Sequence, residues 1–453
     1  MDLAALRKAD LAHHIHPFTD PAALARAGGP RVIVRGEGVW LTDADGNRLL
    51  DGLAGLWCVA LGYGRRELVD AAARQMREIP YYNSFFHTAT PSTIELCEAL
   101  RAQTPRGLDH FFFASSGSEA NDTIVRMVWW YWQLEGKPEK RIVLSREHAY
   151  HGSTVIASSA GGMSAMHAQG GALAEFQHVM PPYGYKYGRG LSEPAFAERA
   201  ASALEERIVA VGPERVAAFL AEPVQGAGGV IVPPLGYWAR VQEICRRYDV
   251  LLVADEVITG FGRTGRWFGC ETYGIEPDFM TIAKALTSGY LPLSAAVVGP
   301  RVARRIAESG GRFAHGFTYS GHATAAAVAL ETLRILREEG VVERVRDDVG
   351  PYLMRCLHEA FDAHPLVGEV RGVGLLAALE LVDDKPSGRL FEPAGEVGAA
   401  CLAHAFREKV VLRAVRDAIC LCPPLVITRA EIDELVARAR RAVDATARDL
   451  GRL

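Results

Sequence analysis

Two segments of this chain set a charged side chain where an apolar run stops. In LLVADEVITGFGRTG (251–265) the run ends at Asp255, and in TIAKALTSGYLPLSA (281–295) it ends at Lys284. Charge at the end of a buried strand is costly unless it is paired or put to use. An Asp–Lys ion pair between neighbouring strands is one reading. The other is that carboxylate and amine act on a single ligand held between them.

A second stretch helps to choose. Ser116-Gly117-Ser118-Glu119-Ala120-Asn121-Asp122 follows HFFFASS (110–116), where a strand hands over to a helix. Small residues there let backbone N–H groups reach an anion, and a helix N-terminus favours negative charge. One phosphate suits it, although the same residues also make an ordinary N-cap. Tyr150, in HAYHGST (148–154), puts an aromatic ring near another strand end. A phosphate cradle, a flat contact, a strand-end carboxylate and a strand-end lysine together fit pyridoxal phosphate. That cofactor needs a lysine for its imine linkage and a carboxylate to keep its ring nitrogen protonated. GFGRTG (260–265) formally matches a dinucleotide fingerprint. Its glycines follow a charged strand end and do not open a helix, which argues against a nicotinamide site.

The elements that position these residues are legible in outline. HFFFASS, RIVLS (141–145), VAAFLAEPV (216–224), VLLVADEV (250–257), FMTIA (279–283) and LSAAVVG (293–299) read as strands, several of them apolar throughout. Such runs belong to a mostly parallel sheet covered by helices on both faces, an α/β architecture. After about Gly321 a long helix is expected over 323–340, ending at Gly340. A second helix, a strand near 367–382, a third helix and two short strands follow. The last helix opens at Thr428, with Glu431 placed for a capping box. RVIVRGEGVWLTDADGNRLLDG (31–52) reads as strands that pack with this C-terminal unit. The expected division is 1–58 as part of a small domain, 59–322 as the large cofactor-binding domain and 323–453 as the rest of the small one.

Composition narrows the classes. The 453 residues are 49% hydrophobic and 23% charged, ordinary for a globular protein, and the net charge of −4 opposes nucleic-acid binding. No apolar run reaches the ~18 residues of a membrane span, and the first twenty residues lack a signal core. Eight scattered cysteines without a CxxC pair suggest reduced thiols and a cytoplasmic location. His13, His14 and His16 lack a second ligand cluster and are read as part of an N-terminal segment, not as a metal site.

With SGSEAND (116–122), HAYHGST (148–154), AEPVQGAGG (221–229), LLVADEVITGFGRTG, TIAKALTSGYLP (281–292) and HGFTYSGH (315–322) in this order, the chain resembles the class III pyridoxal-phosphate aminotransferases nearly end to end. The resemblance implies the fold-type-I architecture, a large mostly parallel sheet plus a smaller α/β domain. It implies that Lys284 carries the cofactor, that Asp255 pairs with its ring nitrogen, and that Val257 and Tyr150 pack on its two faces. Ser116, Gly117 and Ser118 hold the phosphate. Thr318 reaches the phosphate of the partner subunit, which makes the protein a homodimer with shared sites and leaves a tetramer open. Glu222 stands behind these residues, either in an ion pair or in direct contact.

Departures from the commonest family pattern point to a branch. Members using 2-oxoglutarate typically read EPxQGEGG and DEVQTG; here Ala227 and Ile258 stand at the Glu and Gln positions. Both changes make the site less polar. Trp57 and Phe85 match substrate-pocket positions of the ω-amine–pyruvate subgroup, and Arg413 matches its carboxylate-binding arginine. A guanidinium suits a carboxylate through two parallel hydrogen bonds. Without a Glu at 227, Arg413 is free to swing aside for an uncharged amine. Arg416 stands where a small residue is expected and is a competitor for the same carboxylate. The expected reaction is transfer of an amino group from an ω-amino acid or primary amine to pyruvate, giving alanine and an aldehyde or ketone. The alternatives are a 2-oxoglutarate-dependent member, or a decarboxylase or aminomutase of the same fold. β-Alanine, a diamine, a taurine-like donor and an aromatic amine all remain candidate donors.

Overall fold

The structure, a computed structural model, describes residues 2–453. Near the N-terminus β1 (Ile33–Glu37), β2 (Trp40–Asp43) and β3 (Arg48–Asp51) form an antiparallel meander. Its β2–β3 turn carries Asp45 and Gly46, as a DG pair favours.

The large sheet is built from β4 (His110–Ala114), β5 (Ile142–Arg146), β6 (Phe176–Val179), β7 (Val216–Ala221), β8 (Leu251–Asp255), β9 (Phe279–Ile282) and β10 (Ser294–Val298). Their spatial order is β4-β10-β9-β8-β7-β5-β6. β6, β5, β7, β8 and β9 run parallel, and β10 lies antiparallel between β9 and β4. Every residue of β5, β7, β8, β9 and β10 is buried. This is why their sequences are apolar without alternation: helices cover both faces. β6 carries Gln177 and His178 between its apolar ends and escapes a reading based on hydrophobic runs.

The C-terminal part corrects the sequence reading twice. The single strand expected near 367–382 is a hairpin of β11 (Val367–Val373) and β12 (Leu376–Leu381). Gly374 makes the reversal with φ +58°, and a Cβ there would come within 2.4 Å of the Arg263 carbonyl oxygen. The two short strands expected later are three: β13 (Val410–Val411), β14 (Arg413–Val415) and β15 (Ala418–Leu421). β13 pairs in parallel with β3, tying the two chain ends into one sheet. β11, β12, β15 and β14 form the remaining sheet. The long helix runs Ala323–Glu338, and the last, Arg429–Asp449, has the expected capping box at Thr428 and Glu431. Among the described residues no helix is long and apolar enough to cross a membrane.

Candidate active site

All the parallel strands of an α/β sheet end on one side, and ligands bind there. In this chain that edge gathers the singled-out residues. Asp255 is the last residue of β8; Glu222 directly follows β7; Lys284 follows β9 by two positions, Tyr150 follows β5 by four, and Ser116 follows β4 by two. Because β8 and β9 are neighbours in register, with Asp255 opposite Thr281, the two charged ends open into one space.

That space is a cavity of about 930 Å³. Ser116, Gly117, Ser118, Tyr150, Glu222, Ala227, Asp255, Val257, Lys284, Trp57 and Arg413 all contribute to its wall. Phe85 and Thr318 do not. They sit together elsewhere, where the Tyr81 hydroxyl donates to the Thr318 carbonyl (2.6 Å) and the Ser84 hydroxyl to that of Ser320 (3.0 Å). The expected place of Phe85 in the pocket is therefore not met within its own chain, because these bonds hold segment 81–85 against 316–320.

Asp255 and Lys284 make no ion pair. The Asp255 carboxylate is instead held from three sides: Asn121 donates at 3.0 Å, His151 Nδ1 lies at 2.8 Å, and the Val257 N–H donates at 3.1 Å. Asn121 is fixed in turn by the His151 carbonyl (2.7 Å) and by the Thr281 hydroxyl (2.6 Å). Asn121 and His151, which hold Asp255, lie inside the motifs SGSEAND and HAYHGST but are not singled out by them. The signal was available in part, since a buried carboxylate demands donors. Which donors reach it is a matter of the fold.

The Lys284 amine has no hydrogen-bond or carboxylate partner among the described residues, and the residue's backbone is left-handed (φ +48°). Such a conformation costs a non-glycine residue of order 1 kcal/mol and persists where the surroundings impose it. Burial pushes the Lys284 amine below its ordinary pKa, opposed by the charge of Asp255. Gly117 lies against Val257, whose Cγ2 would stand 3.1 Å from a Cβ at 117. Ser116 caps the helix Gly117–Leu134, accepting from the Glu119 N–H at 3.2 Å, and Ser118 Oγ accepts from the Ser153 N–H at 3.0 Å.

Glu222 forms no ion pair, contrary to one of the two expectations. Its carboxylate accepts from the N–H groups of Gly226 (2.9 Å) and Tyr150 (3.4 Å), while Arg146 bonds only its main-chain oxygen. Burial, with Asp255 close by, raises its pKa. Arg416 is not a competitor in the cavity. The two-residue turn between β14 and β15 directs it to the Gly228 carbonyl at 2.8 Å, towards a separate 310 Å³ pocket. Arg413, on β14, faces the main cavity. Its guanidinium lies 4.7 Å from the Trp57 ring centre, and burial lowers its pKa. Pro17 and Phe18 also line the cavity, the Phe18 ring meeting Tyr150 edge-on at 6.4 Å. The N-terminal segment is thus a part of the wall. Its His14 and His16 bond to Asp10 at 3.0 and 2.7 Å.

GFGRTG serves structure: Arg263 is buried and donates to the carbonyls of Leu375 and Pro423. No helix opens at its glycines; a five-residue helix begins only at Gly269.

Residues 23–443 match the family model for class-III aminotransferases. The chain is 52% identical over 436 residues to a putrescine–pyruvate aminotransferase of Pseudomonas aeruginosa, covering 96% of this chain and 95% of that one. Among solved structures it resembles a thermostable (S)-enantioselective ω-transaminase from Thermomicrobium roseum, at 46% identity and a TM-score of 0.95 over 98% of this chain and 99% of the other. An ω-transaminase of Pseudomonas jessenii in complex with PMP aligns with a TM-score of 0.96 at 42% identity, over 99% of both chains.

Proposed function

The chain belongs to the class III aminotransferases, and from that membership we propose that it moves the amino group of a primary amine or ω-amino acid to pyruvate. The products are alanine and an aldehyde or ketone. Arg413 carries the reading: a guanidinium without a carboxylate partner among the described residues, in a cavity that it shares with the apolar side chains of Trp57, Ala227 and Ile258. It offers paired donors to a keto acid's carboxylate and rests on Trp57 when the bound donor has none. The relatives named for pyruvate and ω-amine chemistry support this choice over 2-oxoglutarate.

We assign pyridoxal phosphate as the cofactor, since the residues present fit it. An unpartnered lysine, a carboxylate held by three donors and a small-residue helix start face one cavity. Ser116, Gly117 and Ser118 would hold the phosphate, Tyr150 and Val257 the ring faces, and Lys284 the covalent link. Bound there, the cofactor supplies an electron sink for charge developing at the substrate's amine-bearing carbon. Asp255, fixed by Asn121 and His151, would keep the cofactor's ring nitrogen protonated. Lys284, its pKa lowered by burial, would be the base that takes the proton from that carbon. Glu222, raised by burial, bears on this end of the cavity from behind Tyr150. Trp57, buried in the wall, lends the reacting centre an apolar boundary.

The working unit in this reading is a homodimer, and a tetramer stays open. Thr318 and Phe85 lie outside their own cavity on a surface that also exposes Phe86 and Tyr319, and in the dimer they complete the partner's site. The deciding assay gives the loaded enzyme one amine with either pyruvate or 2-oxoglutarate and measures the amino acid formed. Alanine should form at least about tenfold faster than glutamate, a ~1.4 kcal/mol difference; equal or faster glutamate formation overturns the pyruvate assignment.

A further inference from the structure

An α,ω-diamine carries a second ammonium at neutral pH, and an apolar cavity makes this a difficulty. Only two carboxylates line the cavity, Asp255 and Glu222. Each is 3% exposed and already bonded to backbone or side-chain donors. Beyond them the wall has neutral oxygens only, the hydroxyls of Ser115, Ser116, Ser118, Tyr150, Ser153 and Thr287, and apolar side chains such as Phe18, Leu56, Met163 and Ile258. No further side chain of the wall among the described residues offers a negative charge to a cation.

The same wall nevertheless holds a cation at rest. The Arg413 guanidinium lies 4.7 Å from the Trp57 ring centre, and no side chain or carbonyl among the described residues accepts a hydrogen bond from it. What compensates its charge on that side is the ring. Tryptophan is the aromatic side chain best suited to this, through the negative potential over its face. The ring is also rigidly presented. Trp57 and Ala54 are both left-handed (φ +58° and +50°), and Trp57 packs in a buried cluster with Ala227 and Ile258. Two cations cannot share one face, so a guest ammonium and the guanidinium exclude each other.

We propose that the face of Trp57 is a cation seat, held by Arg413 and taken by the distal ammonium of an α,ω-diamine once Arg413 moves out. This rests on the amine-transfer reading above and adds the substrate class. Arg413 then has two opposite effects: it binds the keto acid, and it competes with the diamine.

The test uses cofactor-loaded enzyme and two non-reacting probes of nearly equal shape, choline and the neutral 3,3-dimethylbutan-1-ol, titrated calorimetrically. Choline should bind at least about tenfold more tightly. Trp57→Leu should abolish the difference, Trp57→Phe should keep part of it, and Arg413→Ala should strengthen choline binding. In kinetics, the ratio of kcat/KM for 1,4-diaminobutane over butylamine should fall about tenfold in Trp57→Leu and rise in Arg413→Ala. If Trp57→Leu does not fold, Arg413→Ala decides alone. The proposal is overturned if choline binds no better than the alcohol, or if Arg413→Ala weakens choline binding. The probe result is independent of the keto acid, so failure of the pyruvate assignment shows only in the alanine assay.

Discussion

Lys284 shows how one residue's environment sets its chemistry. It stands in a left-handed conformation, without a bonded partner, and burial lowers its pKa. A lowered pKa means that the free amine forms at a lower pH than in an exposed lysine. Capture of pyridoxal phosphate by the apoenzyme should therefore speed up with pH and level off below pH 10.5, followed by stopped-flow absorbance. A rate still climbing through 10.5 would show that burial does not act on this amine. Lys284→Ala should lower turnover by at least about 10³-fold while leaving the fold intact. Arg413→Ala separates the two substrates: the alanine–pyruvate exchange should suffer far more than turnover of 1-phenylethylamine. Equal losses on both would remove the swinging role of Arg413.

At the scale of elements, loops and caps set the precision of the site. His148 lies two residues before Tyr150, with φ +64° and a buried Nε2 that has no partner. Burial, helped by the charges of Arg416 and Lys186, lowers its pKa from 6.5 to about 4. Its folded pKa lies below the unfolded one, so between these values the unfolded chain binds more protons and stability rises with pH. The protein should lose stability as pH falls from 6.5 towards 4, and His148→Asn, which tolerates the left-handed backbone, should flatten that slope in thermal unfolding. The helix Arg429–Asp449 depends on its cap in a more ordinary way. Thr428 accepts from the Glu431 N–H (3.3 Å), and Glu431 accepts from the Thr428 N–H (2.9 Å). Thr428→Ala should cost about 1 kcal/mol, read as a lower urea midpoint at unchanged activity.

At the scale of the whole molecule, one chain leaves its site incomplete if Thr318 and Phe85 act across an interface. Mixing makes this measurable. Lys284→Ala and Thr318→Ala homodimers should both be impaired. A hybrid of the two contains one site with an intact Lys284 from one chain and an intact Thr318 from the other, so activity should return after subunits are exchanged. Light scattering should give at least twice the 49.2 kDa chain mass. No recovery in hybrids that have been shown to form would place Thr318 in service of its own chain.

The chain's motifs made the chemistry legible before any coordinates. Asp255, Lys284, Ser116–Ser118 and Tyr150 could be found because buried strands must be apolar, which makes a charge or a small-residue turn at a strand end conspicuous. The same rule located six of the seven strands of the large sheet, but it passed over β6, whose interior is polar. It also ran β11 and β12 together, since Gly374-Leu375 reverses the chain without a familiar turn pair. Other features depended on contacts between residues far apart in sequence. Asn121 and His151 meet at Asp255, Phe18 comes to Tyr150, Arg413 settles on Trp57, and Arg416 turns away to Gly228. Residue types at strand ends are local and can be read along the chain. Partners across a cavity are chosen by how the sheets and loops pack, and only the tertiary structure decides them.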